Sequence, residues 1–162
     1  MTDVIKQVYT ILENVKDPEI PVLSLKDLGV IRHIKEENGK IIVEITPTYS
    51  GCPAMHQMEQ DILAELRKNG FNQVEVKTLL SPSWTTEWIT EEGKRKLREY
   101  GIAPPNTLTA DKNSILGKEK TVKCPRCGSS NTQMISQFGS TACKALFKCN
   151  DCLEPFDYFK CL

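Results

Sequence analysis

Two cysteine pairs constrain this chain more than any other feature. Cys124-Pro-Arg-Cys127 and Cys149-Asn-Asp-Cys152 are Cys-x-x-Cys motifs on either side of residues 128–148. Each pair can sit on a tight knuckle whose two sulfurs face one centre, and two knuckles give four thiolates in a tetrahedron, which suits Zn²⁺. Gly128 supplies the conformational freedom that the first knuckle needs. Residues 120–162 are too few to bury much core unaided, so a bound metal would contribute much of their folding energy. A structural zinc staple is the expectation. The alternative is a rubredoxin-like iron centre for electron transfer, which colour would distinguish.

Composition narrows the setting. Of the seven cysteines, only Cys52 precedes residue 124, and both histidines, His33 and His56, lie in the first half. A metal site in the second half is therefore thiolate-built. Clustered cysteines of odd number fit metal or redox use in a reducing compartment better than a disulfide scaffold. The N-terminus lacks a basic region followed by an apolar run, and no stretch is apolar enough to span a bilayer; a cytoplasmic protein without membrane contact is expected. Lys plus Arg equals Asp plus Glu at 21 each. Nucleic-acid binding, which usually requires a positive field, therefore ranks last among the possible functions, and no nucleic-acid partner is expected.

Hydrophobic periodicity predicts an α+β chain. Val4, Val8, Ile11, Leu12 and Val15 follow helical spacing over residues 3–15, with a stop before Pro18. Val30 to Lys35 and Lys40 to Thr46 read as strands joined by a tight hairpin at Asn38-Gly39, with Ile41, Val43 and Ile45 on one face. A second helix opens near Pro53, carries an apolar stripe of Met55, Met58, Ile62, Leu63 and Leu66, and ends at Asn69-Gly70. A third strand spans Val74 to Leu80, and Thr90 caps a charged helix running to about Tyr100. The expected organisation is a first domain over 1–100, with a three-stranded sheet packed with helices, a linker over 101–119, and a β-rich four-cysteine zinc ribbon over 120–162.

Cys52 is the other candidate for chemistry. Thr48-Tyr-Ser-Gly-Cys-Pro53 joins a strand to a helix. Proline favours the first helical position, which puts Cys52 at or near the N-cap. Free amides and the positive end of the helix dipole would stabilise a thiolate there, so a lowered pKa is expected. His56, four residues on, could share a metal with it. Asp17-Pro18-Glu19 reads by itself as a turn with two solvated carboxylates. Trp84 and Trp88 would share a face on a helical turn and could form a partner-docking patch, although packing is the plainer use. In Phe138-Gly-Ser-Thr-Ala-Cys143-Lys144, a small-residue loop ends in a cysteine beside a lysine, which could serve as a docking surface or hold a low-pKa thiol. Ser140 and Thr141 have no histidine base nearby. Cys143 and Cys161 otherwise read as small buried hydrophobes.

Asp17-Pro-Glu-Ile-Pro21 and Thr48-Tyr-Ser-Gly-Cys-Pro53 resemble the two signature motifs of the MIP18-like, or DUF59, domain over roughly residues 4–95. The resemblance implies a small α/β domain concerned with iron–sulfur cluster assembly, with Cys52 as the reactive thiol and Asp17 and Glu19 as its acidic motif. Ser81-Pro-Ser-Trp-Thr-Thr-Glu-Trp88, the Phe138 segment and Glu154-Pro-Phe-Asp-Tyr-Phe-Lys-Cys161 extend the likeness to the ribbon-bearing accessory subunits of bacterial phenylacetyl-CoA oxygenases. That likeness implies a place in aerobic phenylacetate degradation. The implied partners are a di-iron oxygenase component and a reductase, and transient iron or an iron–sulfur cluster is implied as cargo. The chain itself lacks the paired Glu-x-x-His helices of a di-iron site and any glycine-rich dinucleotide fingerprint. It is therefore expected to assist rather than catalyse, as a maturation factor or as a standing structural subunit. A homodimer is compatible with the sequence.

Overall fold

A computed structural model describes residues 2–105 and 121–159. The chain divides into two compact units, Met1–Gly93 and Lys94–Leu162. Among the described residues, no helix is long and apolar enough to cross a membrane.

The first unit opens with α1 (Asp3–Leu12), which buries Val8, Ile11 and Leu12. Thr2 caps it: its hydroxyl accepts from the Ile5 amide, and Asp3 sits at the positive end of the helix. The helix is shorter than its apolar period predicts. Val15 and Lys16 leave it to pair with the returning chain. The Leu25 amide donates to Val15 O, the Asp17 amide donates to Leu23 O, and Lys16 bridges Ser24. A non-local pairing thus ends the helix before Pro18 could.

β1 (Ile31–Glu37) and β2 (Lys40–Ile45) form an antiparallel hairpin in which Glu37 faces Lys40. Its two turn residues, Asn38 (φ 52°) and Gly39 (φ 76°), both take the left-handed conformation that a two-residue hairpin requires. α2 (Met55–Lys68) then crosses over to β3 (Val74–Thr78), which pairs parallel with β2 to complete the order β1-β2-β3. Met58, Ile62 and Leu66 are the buried stripe of α2. The amides of Gly70 and Phe71 close its end onto Arg67 O and Leu66 O. β2 is the central strand and is buried from Ile41 through Ile45, so the expected one-face alternation gives way to two covered faces. Glu44, on the unexpected face, pairs with Lys35 at 2.6 Å.

A 3₁₀ turn (Thr86–Trp88) leads to α3 (Glu91–Tyr100), capped by Thr90, whose hydroxyl accepts from the Gly93 amide at 2.9 Å. In the second unit β4 (Ile102–Ala103) pairs parallel with β7 (Pro155–Phe159). Residues 102–103, inside the stretch expected to be a linker, are thus the edge of a sheet, while residues 106–119 lie outside the described residues. β5 (Thr132–Ser136) and β6 (Lys144–Cys149) complete the order β4-β7-β6-β5. The core of this sheet is small: Ala103, Val122, Cys124, Ala145, Phe147, Cys149, Phe156 and Tyr158. Phe147 stacks on Phe156 at 5.9 Å and meets Tyr158 edge-on at 5.6 Å. The whole is an α+β chain, a helix-packed three-stranded domain followed by a four-cysteine ribbon.

Candidate functional site

The two ribbon knuckles are built alike. In the first, the Cys124 amide donates to Ser129 O and the Gly128 amide donates back to Cys124 O, both at 2.9 Å. In the second, the Cys149 amide donates to Glu154 O at 3.0 Å. In each, the residue after the second cysteine turns into the left-handed region: Gly128 at φ 76° and Leu153 at φ 65°. The sequence signals the first of these turns with glycine and conceals the second behind leucine. Backbone amides then face the sulfurs. The Cys152 amide lies 3.5 Å from Cys149 Sγ, the Ser129 amide serves Cys127, and the Glu154 amide serves Cys152. The Cys152 amide, the Asp151 amide and neighbouring thiols draw the Cys149 thiol down to about 7. Amides aimed at sulfur favour thiolates, the form that binds metal, but the crowding of neighbouring thiols together with burial still holds Cys127 up and pushes Cys152 up to about 12, so the four do not ionise together without a cation.

The spacing fits an ion. Cys124 and Cys152 Sγ are 3.7 Å apart, Cys127 and Cys149 Sγ are 3.5 Å apart, and all four sulfurs lie within 4.8 Å of one another. A tetrahedral thiolate site with bonds of about 2.3 Å has sulfur–sulfur edges of about 3.8 Å. The four cysteines form a metal-binding cluster. Outside it, a polar brace ties the knuckles together. Ser129 donates to Asp151, Asn131 Nδ2 donates to the other Asp151 oxygen at 2.8 Å, and Asn150 Nδ2 reaches Asn131 at 3.2 Å. Sequence reasoning did not single out Asp151; its one signal is a carboxylate inside a Cys-x-x-Cys pair.

In the first unit, Cys52 is buried at 6% exposure on the turn that follows β2. The helix starts later than Pro53 suggests. Ala54 is the N-cap of α2, and Cys52 holds the turn before it by accepting the Met55 amide at its carbonyl. The fold brings Asp17, Glu19 and Cys52 together closely enough that both carboxylates act on the thiol. The expected fall in the Cys52 pKa is overturned. Burial is the largest effect and pushes the thiol up, and Glu19 and Asp17 add to it. The Ala54 amide and the Tyr49 side chain, both hydrogen-bonded to the sulfur, pull the other way without winning. Tyr49 was not anticipated as a neighbour of the sulfur.

Asp17 is not the solvated carboxylate that the isolated motif suggests. It is 5% exposed, and its Oδ1 accepts the Glu19 and Ile20 amides at 2.8 and 2.7 Å. This fixes the turn that presents the half-buried Glu19. His56 is exposed on α2. Among the described residues, the ribbon thiols are the one group of three or more such side chains positioned to share a metal.

The residues proposed for docking separate into different environments. Trp84 is buried at 6% exposure, and its indole N–H donates to Leu28 O at 2.8 Å, an anchor inside the first unit. Trp88 is half-buried under the Arg32 guanidinium, which lies 3.4 Å from the ring centroid. No helical turn joins the two tryptophans, because the backbone runs extended at Thr85 before the 3₁₀ turn. Phe138 is 64% exposed at the β5–β6 turn, whereas Cys143 and Lys144 are buried. Cys143 Sγ lies 3.0 Å from Thr141 Oγ1, and Lys144 Nζ donates to Ser140 Oγ at 3.2 Å. Cys161 lies outside the described residues.

A helix-packed three-stranded domain joined to a four-cysteine β ribbon is the class that this architecture defines. Residues 5–78 match the family described as iron-sulfur cluster assembly protein, and residues 109–160 match the family described as PaaD zinc beta ribbon domain. The chain is 45% identical over 98% of its length, and over 93% of the relative, to an Escherichia coli (strain K12) protein named as the D subunit of 1,2-phenylacetyl-CoA epoxidase. It is 29% identical, over 57% of its length and 89% of the relative, to an Fe-S protein maturation auxiliary factor of Porphyromonas gingivalis. A solved DUF59 domain from Bacillus anthracis superposes with a TM-score of 0.54 at 28% identity, covering 57% of this chain and 90% of that one. The chain belongs to the family of 1,2-phenylacetyl-CoA epoxidase D subunits.

Proposed function

We propose that this protein is a non-catalytic accessory subunit of a bacterial phenylacetyl-CoA epoxidase that helps to assemble an iron or iron–sulfur centre in its di-iron oxygenase or reductase partners. The observation that carries the reading is the buried Cys52 thiol flanked by the carboxylates of Asp17 and Glu19, in a domain that matches the iron-sulfur cluster assembly family.

The chemistry of that trio suits a transient cargo. With no cation present, burial, aided by the carboxylates of Glu19 and Asp17, keeps Cys52 protonated and so protects it from oxidation and stray ligands. An arriving iron cation reverses the local field. The carboxylates attract it, the thiol loses its proton, and the thiolate joins as a soft ligand. Returning the proton weakens the hold, so capture and release are coupled to one proton at Sγ. In the ribbon, Cys124, Cys127, Cys149 and Cys152 would hold a resident Zn²⁺, which supplies structure there. In the second unit, Phe138 with the neighbouring Cys143–Lys144 turn is proposed to meet the partner; in the first, the half-buried Trp88 is proposed to do so, with the buried Trp84 supporting it from inside.

The test is metal content and client support together. Anaerobically purified wild type should carry one zinc per chain plus sub-stoichiometric iron. Cys52→Ala should keep the zinc, lose the iron, and fail to support epoxidase activity in cells lacking the native subunit. Full support of activity by a folded Cys52→Ala protein would refute the role given to the thiol.

A further inference from the structure

The four sheet edges of this protein are not protected alike. β1 and β3 border the first sheet and carry Arg32, Lys35, Glu36 and Glu37 on one edge and Glu75 and Lys77 on the other. Charges on an edge disfavour pairing with another strand. β4, at one edge of the second sheet, is only Ile102–Ala103. β5 is the exception. It ends the order β4-β7-β6-β5 and pairs with no second strand among the described residues. From Cys127 through Cys143 the chain has no Asp, Glu, Lys or Arg. Gln133, Met134 and Ile135 are consecutive exposed residues of the strand. Met134 is 48%, Ile135 56% and Phe138 64% exposed. Among the described residues, an irregularity in pairing with β6 between Met134 and Ser136 is the protective feature that this edge shows.

We propose that β5 is a self-association edge, through which two copies of this chain pair antiparallel across a two-fold axis. Symmetry favours this occupant over a different protein. In a two-fold antiparallel pair residue i of one strand faces residue j of the other, and only the residues at the axis face their own copies; a charge there would meet its like, and a segment free of charge escapes that repulsion wherever the axis falls. A foreign partner is usually selected by complementary charge, and this edge has none to offer. The main-chain groups on the outer side of β5 would complete their hydrogen bonding, and Met134 and Ile135 would leave water. Two side chains about half exposed present on the order of 200 Å² of apolar surface. Two such faces place the contact at the low, reversible end of protein interfaces. The inference does not depend on the role of Cys52.

Sedimentation equilibrium of the full, metal-loaded chain tests it, from low-micromolar to near-millimolar concentration. The expected result is a mass that rises from one chain and levels at two. Ile135→Lys should weaken the dimer at least tenfold, because it adds a like charge to both strands of a short pair and removes an apolar side chain from the contact, while metal content and far-UV circular dichroism stay unchanged. If Ile135→Lys loses its metal, Gln133→Lys, also on the exposed strand, is read in its place. A mass that stays at one chain throughout, one that grows past two without levelling, or a dimer indifferent to the added lysine would each overturn the proposal.

Discussion

At the scale of single residues, the first site shows how burial can reverse a local expectation. A cysteine just ahead of a helix invites a low pKa from the dipole and the free amides. Here α2 starts three residues after Cys52, and one amide, from Ala54, reaches the sulfur. Burial and two carboxylates outweigh it. Those carboxylates are contributed from thirty or more positions away in the chain, so no local pattern could assign the sign. The motifs themselves were legible, but their meeting was not. Removing one carboxylate should move the thiol in a known direction. Glu19→Gln deletes an influence that raises the Cys52 pKa, so the pH profile of its alkylation by iodoacetamide should shift to lower pH, with faster reaction at pH 8. An unchanged midpoint would mean that Glu19 does not act on the sulfur. Trp84 offers a second residue-scale test. Its indole N–H saturates the buried Leu28 carbonyl, and Trp84→Phe would leave that acceptor unpaired at a cost of about 1–3 kcal/mol. Urea unfolding should show the loss with a nearly constant m-value.

At the scale of elements, legibility follows locality. The Asn38-Gly39 hairpin, the Asn69-Gly70 helix end and the Thr90 cap are each decided within a few residues, and each stands where its turn chemistry put it. The end of α1 is decided instead by the pairing of Val15–Asp17 with Leu23–Leu25, and the second face of β2 is covered because the strand is central. β4 escapes detection because two residues carry no period and its partner, β7, lies at the other end of the unit. The knuckles are local again, except for Leu153, whose left-handed backbone breaks the residue preference that Gly128 obeys. Gly128 has open space around its missing side chain, so a substitution there acts through backbone strain alone. Gly128→Val should cost on the order of 1–2 kcal/mol in ribbon stability and weaken metal retention in a chelator competition, with little change at Cys52. Asp151 braces the two knuckles from outside, so its loss should loosen both at once.

At the scale of the whole molecule, the two units divide the labour by the way each is held together. The first unit rests on a broad apolar core, from Val8 and Leu12 through Leu23, Leu28, Val43 and Ile45 to Met58, Ile62 and Leu66. The second has a smaller core among its described residues, and Cys124 and Cys149 belong both to it and to the metal cluster. Binding energy at the four thiolates is therefore folding energy for the second unit and has no such role in the first. Stripping the metal from the full chain with a strong chelator at neutral pH should separate the two. Amide hydrogen exchange should rise sharply across β5, β6 and β7, while α1, α2 and the β1–β3 sheet keep their protection. Lowering the pH should do the same without a chelator, because protons compete for the thiolates, and the loss should be steeper than one proton per site. If exchange rose equally in both units, the first would depend on the metal as well, and reduced activity in a ribbon variant could not be assigned to lost docking. If it rose in the second alone, Cys52 chemistry could be measured in a chain whose ribbon is unfolded, and the contribution of the ribbon to partner docking would follow from the difference in client support.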